Sequence, residues 1–283
     1  MIEVEKHTLP LVSVCIPTYN AENSIVNTLN SVINQTYQHL EIIVCDNQST
    51  DNTVELVRTI EDDRIQLSVN SENFGMVGNF NIVLSKANGV FVKLLCADDV
   101  IETDCIEKQI NVFLDNPNSN IVMVTAEKFV ISSKGKCLFI KRFPGKAGIY
   151  QGENVIRKSF RYGTNIFGEP GVALFLNDAV RKAGPIDIPL ALTYVVDLQL
   201  YAQVLKHGNL FVIKEPLFSF RVSSTSFTAS SKWNPPKVFN RLRKKYTKEN
   251  FIHFTFIDKI LSFVMAWILS VVRNLIFKFS SKK

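Results

Sequence analysis

The sequence predicts an α/β fold in which a mostly parallel β-sheet is flanked by helices. Short apolar runs rich in β-branched residues recur along the first half, and segments with apolar residues at helical spacing separate them. The chain has 283 residues, of which 46% are hydrophobic, which suits one large domain with a packed core. Ligands of such sheets bind beyond the carboxyl ends of the strands, so we search for chemistry there.

The predicted strands of the first half are residues 11–16, 41–46, 65–69 and 90–96. The predicted helices are residues 21–34, 51–60, 77–87 and 104–114. We expect Pro17 to end the first strand and Asp51 to be the N-cap of the second helix. The strand and helix signals alternate, which is typical of parallel sheets.

The second half is less regular. We predict a strand at residues 121–125 and a hairpin at residues 127–143 that turns near Gly135. A Gly-rich loop at residues 163–171 precedes a helix at residues 195–206, which Gly208 ends. Two further strands are predicted at residues 210–213 and 217–222.

The C-terminal segment differs in composition from the rest. Seven Lys and Arg residues and no acid occur between residues 232 and 248, and a strongly apolar stretch at residues 251–279 follows. Asp258, Lys259 and Arg273 interrupt that stretch, so its longest uninterrupted part is too short to span a bilayer. As a helix it is amphipathic, with Phe263, Val264, Trp267, Ile268 and Val271 on the apolar side.

This pattern predicts a helix that lies in a membrane interface, next to a basic segment that favours anionic lipid over nucleic acid. Packing against the domain's own core or a second subunit is the alternative, and a tilted spanning helix is a further one. Five cysteines without a CxxC motif favour a reducing compartment. The N-terminus has no apolar stretch after a basic start, so we expect no signal peptide. We therefore expect a cytoplasmic protein, peripheral on the inner face of the cell membrane.

Four acids lie at positions where such a sheet would bind a ligand. Asp46 ends the second strand, where it could accept the imide N–H of a uracil or thymine base or simply form a turn. Asp98 and Asp99 follow the fourth strand, and adjacent carboxylates suit Mg²⁺ or Mn²⁺, although they could merely begin a loop. Asp197 opens an otherwise apolar helix, as a cap or as a general base in a cleft.

Together these motifs resemble family 2 glycosyltransferases with the GT-A (Rossmann-like) fold, over about residues 9–228. VSVCIPTYN resembles the family's nucleotide-contacting turn, and DNQSTDNT resembles its acidic base-binding motif. LLCADD lies where the family has its DxD motif, and ALTYVVDLQLYAQVLKHG resembles the segment with the catalytic base. FGEPGVALF and FRVSSTSFT resemble its acceptor-side loop and its late Arg-containing motif.

The resemblance implies roles for individual residues. Asp197 is the expected base; the expected nucleotide contacts are Pro17, Thr18, Tyr19, Asn20, Asp46, Asn73, Gly75 and Asp98. Asp98 and Asp99 would hold Mn²⁺ or Mg²⁺, and Glu169 and Arg221 would lie on the acceptor or phosphate side.

The implied reaction is inverting transfer from a UDP- or dTDP-sugar to a saccharide acceptor in surface polysaccharide biosynthesis, and a lipid-linked saccharide is one candidate acceptor. We expect a nucleotide-binding half at residues 9–126 and an acceptor half at residues 127–228, within a domain at residues 1–228. A basic linker and the amphipathic helix would occupy residues 229–283.

Three residues depart from the family pattern: Cys96 replaces the first acid of DxD, Val196 replaces an acid before the base, and Ser223 replaces a frequent His. These changes leave open a catalytically weakened nucleotide-sugar-binding relative. A nucleotidyltransferase would also use paired Asp residues, but the basic Gly-rich phosphate loop that such enzymes usually need is missing from the sequence. A dinucleotide-dependent oxidoreductase is disfavoured because no GxGxxG follows the first strand.

Overall fold

The computed structural model describes residues 9–132, 134–189, 195–222 and 234–280, with side chains up to residue 271. Its strands are β1 Val12–Thr18, β2 Leu40–Asp46, β3 Ile65–Val69, β4 Phe91–Leu94, β5 Val100–Ile101, β6 Ile121–Ile131, β7 Cys137–Lys141, β8 Gly148–Gln151, β9 Leu174–Leu176 and β10 Asn209–Arg221. Its α-helices are α1 Ile25–Ile33, α2 Thr53–Arg58, α3 Gly75–Ser85, α4 Cys105–Asp115, α5 Gly152–Tyr162, α6 Asn177–Ala183, α7 Val196–Val204, α8 Pro235–Lys248 and α9 Phe256–Ser280.

One mixed sheet runs through the domain in the strand order β3-β2-β1-β4-β9-β6-β10-β5. Strands β3, β2, β1 and β4 are parallel to one another, as the alternating pattern predicts. Beyond β4 the sheet is mixed, because β9 is antiparallel to both β4 and β6 while β6 and β10 are parallel. The parallel half therefore brings the carboxyl ends of β1, β2 and β4 to one edge.

The first half of the chain follows the predicted order of elements, with differences at the boundaries and one additional short strand, β5. Strand β1 continues through Pro17 to Thr18, because its parallel pairing with β2 continues to the end of that strand. Asn52 is the N-cap residue of α2, so the prediction that Asp51 occupies that position is wrong. Asp51 instead accepts hydrogen bonds from the backbone N–H groups of Thr53 and Glu22.

The second half contains elements that the periodicity did not predict. Helices α5 and α6 and strands β8 and β9 are additional, and the two strands predicted at residues 210–213 and 217–222 form the single irregular strand β10. The predicted hairpin is present as β6 and β7. The predicted boundary between residues 228 and 229 lies outside the described residues and stays a prediction.

The basic segment differs from the predicted linker, because it is largely helical. Helix α8 buries four side chains against the main core, namely Val238, Phe239, Leu242 and Tyr246. The buried Tyr246 hydroxyl donates a hydrogen bond to the Gln199 side chain of α7, at 2.8 Å. The lysines and arginines therefore lie along the outer side of a helix that belongs to the domain.

Helix α9 packs through its polar and small residues, and its apolar side faces outward. Asp258, Ser262 and Ala266 are buried, and Asp258 forms an ion pair with Arg161 of α5. Gly163, at the end of α5, lies so close that a Cβ atom there would be 2.4 Å from the Ala266 backbone nitrogen. The outer side exposes large apolar side chains, including Phe256, Ile257, Phe263 and Trp267. Among the described residues, no helix has the length and apolar character that crossing a bilayer requires.

Candidate active site

The site lies where the carboxyl ends of β1, β2 and β4 meet the acceptor-half elements β6, α7 and β10. Asp46 ends β2, and Asp98 and Asp99 follow β4 on the other side of β1. Neighbouring strands are about 4.8 Å apart, so the β2 and β4 ends are separated by roughly 10 Å. The predicted base-binding and metal-binding acids therefore lie along one edge of the sheet.

Asp46 is fully buried and its carboxylate bonds to the chain itself. One oxygen accepts from the Ser49 backbone N–H at 2.9 Å, and the other accepts from the Thr18 hydroxyl at 3.0 Å. This geometry is that of a turn-forming aspartate, the alternative that the sequence left open. A base contact by Asp46 requires exchange of one of these bonds and stays a prediction.

The turn after β1 is held against the turn after β2. Asn20 adopts a left-handed backbone conformation, with φ 49°. Its side-chain oxygen accepts from the Thr50 N–H at 2.8 Å, and its own N–H donates to the Ser49 hydroxyl at 2.9 Å. Tyr19 is 51% exposed beside this contact, so its ring is available to a ligand above the sheet edge.

Asn73 and Gly75, two further predicted nucleotide contacts, are connected to the same sheet edge through Asn47. The Asn47 side chain donates to Asn73 Oδ1 at 2.8 Å, and Asn73 Oδ1 also accepts from the Gly75 N–H at 2.9 Å. Gly75 has φ 71°, which a glycine adopts without steric cost. Asn73 and Gly75 are both exposed, so the predicted nucleotide contacts form a connected surface.

Asp98 and Asp99 place two adjacent carboxyl groups just beyond the end of β4. Asp99 is 2% exposed, and burial together with repulsion from Asp98 raises its pKa well above the usual value. Burial also raises the pKa of Asp98. Arg221 of β10 counters these charges from the acceptor half: its guanidinium Nε donates to the Asp98 carbonyl at 3.3 Å.

Asp197 lies in the first turn of α7, and its side chain is half-buried in the same cleft. One carboxylate oxygen accepts from the Leu198 N–H at 2.7 Å, and the other accepts from the Asn165 side-chain amide at 2.6 Å. Burial raises the pKa of Asp197, and these two hydrogen bonds oppose that rise. Asp197 therefore has a fixed orientation and an environment that makes it a stronger base than an exposed carboxylate.

Asn165 couples this base to the Gly-rich loop. Its amide group also donates to the Gly168 carbonyl at 2.7 Å, and its side-chain oxygen accepts from the Phe167 N–H at 2.9 Å. All the polar capacity of Asn165 is thus used to hold the loop and Asp197 together. No sequence pattern singled out Asn165 beyond its place in the predicted loop.

Lys128 of β6 is a second residue that the sequence interpretation missed. It is 3% exposed and forms an ion pair with Glu169. Burial lowers the pKa of Lys128 well below its usual value, and the charges of Asp99 and Asp197 oppose that shift. Burial of the Lys128 ammonium costs free energy, and the neighbouring carboxylates offset that cost. Its signal in the sequence was a charged residue within the apolar run at residues 121–131.

Tyr201 of α7 supports the loop from below. Its hydroxyl donates to the Gly168 and Glu169 carbonyls at 3.0 and 2.7 Å.

Cys96 is partly buried, and the nearby charges of Asp99, Asp98 and Asp197 add to burial in raising its pKa. All three carboxylates therefore lie near enough to the Cys96 thiol to affect its pKa. Val196 is a core residue, and Ser223 lies outside the described residues.

Within the described part of the chain, no three His, Cys, Asp or Glu side chains are arranged to hold a metal ion by themselves. The adjacent Asp98 and Asp99 carboxylates nevertheless fit a cation, since both have pKa values raised by burial and a positive charge would stabilise their ionised forms. Such a cation needs additional oxygen ligands from a bound molecule.

A parallel sheet edge that carries Asp46, Asp98 and Asp99, with Asp197 beside it, is the arrangement that the sequence analysis predicted for a GT-A glycosyltransferase. The comparisons with known proteins agree: the family model described as glycosyl transferase family 2 matches residues 13–182, so the chain belongs to that family.

One similar curated protein is the Escherichia coli UDP-Glc:alpha-D-GlcNAc-diphosphoundecaprenol beta-1,3-glucosyltransferase WfgD. It is 41% identical over 106 residues, which are 38% of this chain and 42% of WfgD. Another, a glycosyltransferase of Haemophilus influenzae, is 39% identical over 110 residues and is covered over 44% of its length. The matches therefore span less than half of these relatives.

The fold is similar to that of S. aureus TarS residues 1–349 in complex with UDP-GlcNAc. The TM-score is 0.68 at 18% identity, over 92% of this chain and 72% of the TarS chain. A mannosyltransferase from Pyrobaculum calidifontis, in complex with GDP-Man and Mn²⁺, has a TM-score of 0.58 at 20% identity and is covered over 70%. At these identities the likeness shows the fold.

Replacement of Asn165 by Ala tests the hydrogen bond that orients Asp197. The bond stabilises the ionised carboxylate, so its loss raises the pKa of Asp197 and moves the acid limb of the rate–pH profile to higher pH. We expect about a tenfold lower kcat at neutral pH, since one charge-assisted hydrogen bond is worth about 1.5–3 kcal/mol. The rate of sugar transfer is measured against pH, with Asn154→Ala on the exposed side of α5 as the control. An unshifted acid limb contradicts this role.

Proposed function

We propose that this chain transfers a sugar from a nucleotide-diphosphate donor to a hydroxyl group of a saccharide acceptor, with inversion. The observation that carries the proposal is the oriented carboxylate of Asp197, which shares a cleft with Asp98 and Asp99 at the nucleotide edge of the sheet. UDP or dTDP is the proposed carrier, because a pyrimidine imide suits the polar groups at the ends of β1 and β2. Membership of family 2 supports the same reaction.

The chain's own residues accept the proton of the acceptor hydroxyl and stabilise the leaving group. Asp197 accepts the proton of the acceptor hydroxyl, whose oxygen forms a bond to the anomeric carbon. The bond from that carbon to the donor diphosphate breaks on the opposite face, and its electron pair leaves with the nucleotide diphosphate. Attack from the face opposite the leaving group inverts the anomeric configuration. Arg221, next to the Asp98 backbone, supplies positive charge at the leaving-group end of the cleft.

We also propose that Asp98 and Asp99 hold Mn²⁺ or Mg²⁺ together with the donor's phosphate oxygens. These ions are commonly bound by one or two carboxylates plus substrate phosphates, which fits a site with two adjacent acids. When bound, the ion neutralises charge that develops on the diphosphate. The Mn²⁺ complex of the Pyrobaculum calidifontis enzyme supports this use of metal.

The proposed location is the inner surface of the cell membrane. The outer side of α9 exposes Phe263, Val264, Trp267 and Ile268, and the preceding α8 exposes Lys237, Arg241, Lys244 and Lys248. Apolar side chains that insert at the headgroup boundary and basic side chains that attract anionic lipid are the two components of interfacial binding. A lipid-linked saccharide is then the proposed acceptor, which the name of the Escherichia coli relative supports.

Replacement of Asp197 by Asn tests the assignment of the base. The amide has the same shape but accepts no proton, so we expect sugar transfer to fall by about a hundredfold or more. Donor binding should be retained, because the nucleotide surface lies at β1, β2 and β4. Transfer is measured with a panel of nucleotide sugars, and UDP affinity is measured by calorimetry. Undiminished turnover removes Asp197 from this role.

Replacement of Asp99 by Asn tests the metal site without relying on activity. We expect Mn²⁺ to bind the wild-type protein with UDP present and to bind the variant at least tenfold more weakly, because one of two carboxylate ligands is lost. Free Mn²⁺ is measured by electron paramagnetic resonance, with and without UDP. The control is Asp104→Asn, an exposed acid that pairs with Lys108. Equal Mn²⁺ binding by wild type and the Asp99 variant contradicts the site.

The double substitution Phe263→Ser and Trp267→Ser tests membrane binding and leaves the fold intact, since both side chains are more than half exposed. Deletion of the segment is a poorer test, because α8 contributes to the core. We expect the variant's partitioning into phosphatidylglycerol-containing vesicles to fall at least tenfold in a flotation assay. Leu114→Ser, at an exposed apolar site on α4, is the control. Equal flotation of the double variant and wild type contradicts the assignment.

A further inference from the structure

The β6–β7 hairpin places two lysines directly opposite each other beside the catalytic base. Lys128 of β6 pairs with Lys141 of β7 in the antiparallel register. Like charges at directly opposed positions destabilise a sheet, and burial adds to the cost for Lys128. A sheet retains such a pair only where nearby anions compensate for it, which makes the hairpin a candidate for function.

Only one of the two lysines is compensated by an ion pair within the described chain. Lys128 pairs with Glu169 and contacts the Phe220 ring, with its ammonium 5.4 Å from the ring centroid. Lys141 forms no ion pair with any carboxylate among the residues that the structure describes. Lys141 is exposed, its partly desolvated surroundings lower the pKa of its ammonium group, and the charge of Asp197 opposes that shift.

The same face of the hairpin offers an apolar surface next to this ammonium. Side chains alternate along a strand, so Phe139 and Lys141 share one face of β7, about 7 Å apart, while Leu138 faces the other way. Phe139 is 57% exposed and lies opposite Val130, whose neighbour across the sheet is Phe220. The face therefore carries an exposed aromatic ring at Phe139 and, one position nearer to the Lys128–Glu169 ion pair, the exposed cation of Lys141.

We propose that Lys141 and Phe139 bind an amphiphilic acceptor, with Lys141 contacting its phosphate groups and Phe139 contacting the start of its lipid chain. This proposal rests on the proposed function and assigns the acceptor side of that same site. The order of groups matches a lipid diphosphate that carries a sugar: apolar chain at Phe139, phosphate at Lys141, and sugar hydroxyl at Asp197.

The charges of the cleft favour this occupant over a neutral saccharide. A neutral saccharide offers the Lys141 ammonium no charged partner, whereas a diphosphate offers it a charge-assisted hydrogen bond that no carboxylate of the described chain makes. The nucleotide donor is a poorer candidate for this contact, because we place its own phosphates at Asp98 and Asp99, which Arg221 contacts from β10, and β10 pairs with the edge of β6 opposite to β7.

Binding of farnesyl diphosphate to the full chain tests the proposal. UDP and Mn²⁺ are kept at saturation so that the nucleotide site is filled, and the affinity is measured by calorimetry. We expect saturable binding by the wild type and at least tenfold weaker binding by Lys141→Ala, because a charge-assisted contact is lost. Lys141→Arg should restore most of the affinity. Farnesol should bind the wild type much more weakly than the diphosphate does.

Two matched controls separate a site from general attraction. Lys136→Ala removes a lysine from the turn of the same hairpin and should leave the affinity within twofold of wild type. Phe139→Ser should weaken binding several-fold, whereas Leu138→Ser, at a similarly exposed position on the opposite face, should not.

Absence of farnesyl diphosphate binding while UDP still binds overturns this proposal and leaves the transfer reaction standing. Equal losses for Lys141→Ala and Lys136→Ala also overturn it, since they indicate nonspecific attraction. Failure of UDP itself to bind would instead count against the proposed function.

Discussion

The site depends on one electrostatic constraint: several carboxylates must stay ionised in a cleft where burial opposes their charge. Asp98, Asp99 and Asp197 all have pKa values raised by burial, and Asp98 adds repulsion at Asp99. The nucleotide half contributes the first two of these acids. Their compensation comes from the acceptor half, through Lys128 on β6 and Arg221 on β10. The two halves are therefore joined by charge as well as by the continuous sheet.

The same electrostatic constraint accounts for the position of Lys128 on β6, in the mixed part of the sheet. Strand β6 pairs with β9 near its start and with β7 near its end, and it pairs with β10 along most of its length, so its second half stays within the sheet. Lys128 lies in that second half, where Glu169 and the Gly-rich loop can reach it. The loop is held in turn by hydrogen bonds from Asn165 and Tyr201, and Asn165 also links it to Asp197.

The sequence predicted the parts of this arrangement that are local and left out the parts that depend on tertiary contact. Asp197 was identifiable because a carboxylate in an apolar run is unusual, and Asp98 and Asp99 because they follow a buried strand. Lys128 and Glu169 are 41 residues apart in the sequence. Periodicity predicts which face of a strand a side chain occupies, but it does not predict which distant residue that side chain contacts. Helix α8 shows the converse error: its apolar residues Val238, Phe239, Leu242 and Tyr246 have helical spacing, but the dense basic charge favoured a linker.

The C-terminal helix shows how packing decides the use of an amphipathic pattern. The sequence alone allowed either side of α9 to face the domain, and burying the wide apolar side is the usual outcome for a surface helix. The narrow side packs instead, because Gly163 admits the close approach of Ala266 and because Arg161 neutralises the buried Asp258. A helix that uses small residues and a buried ion pair for attachment keeps its large apolar side chains outside. Exposure of these apolar side chains to water costs free energy. That cost is removed only when another apolar phase covers the exposed side.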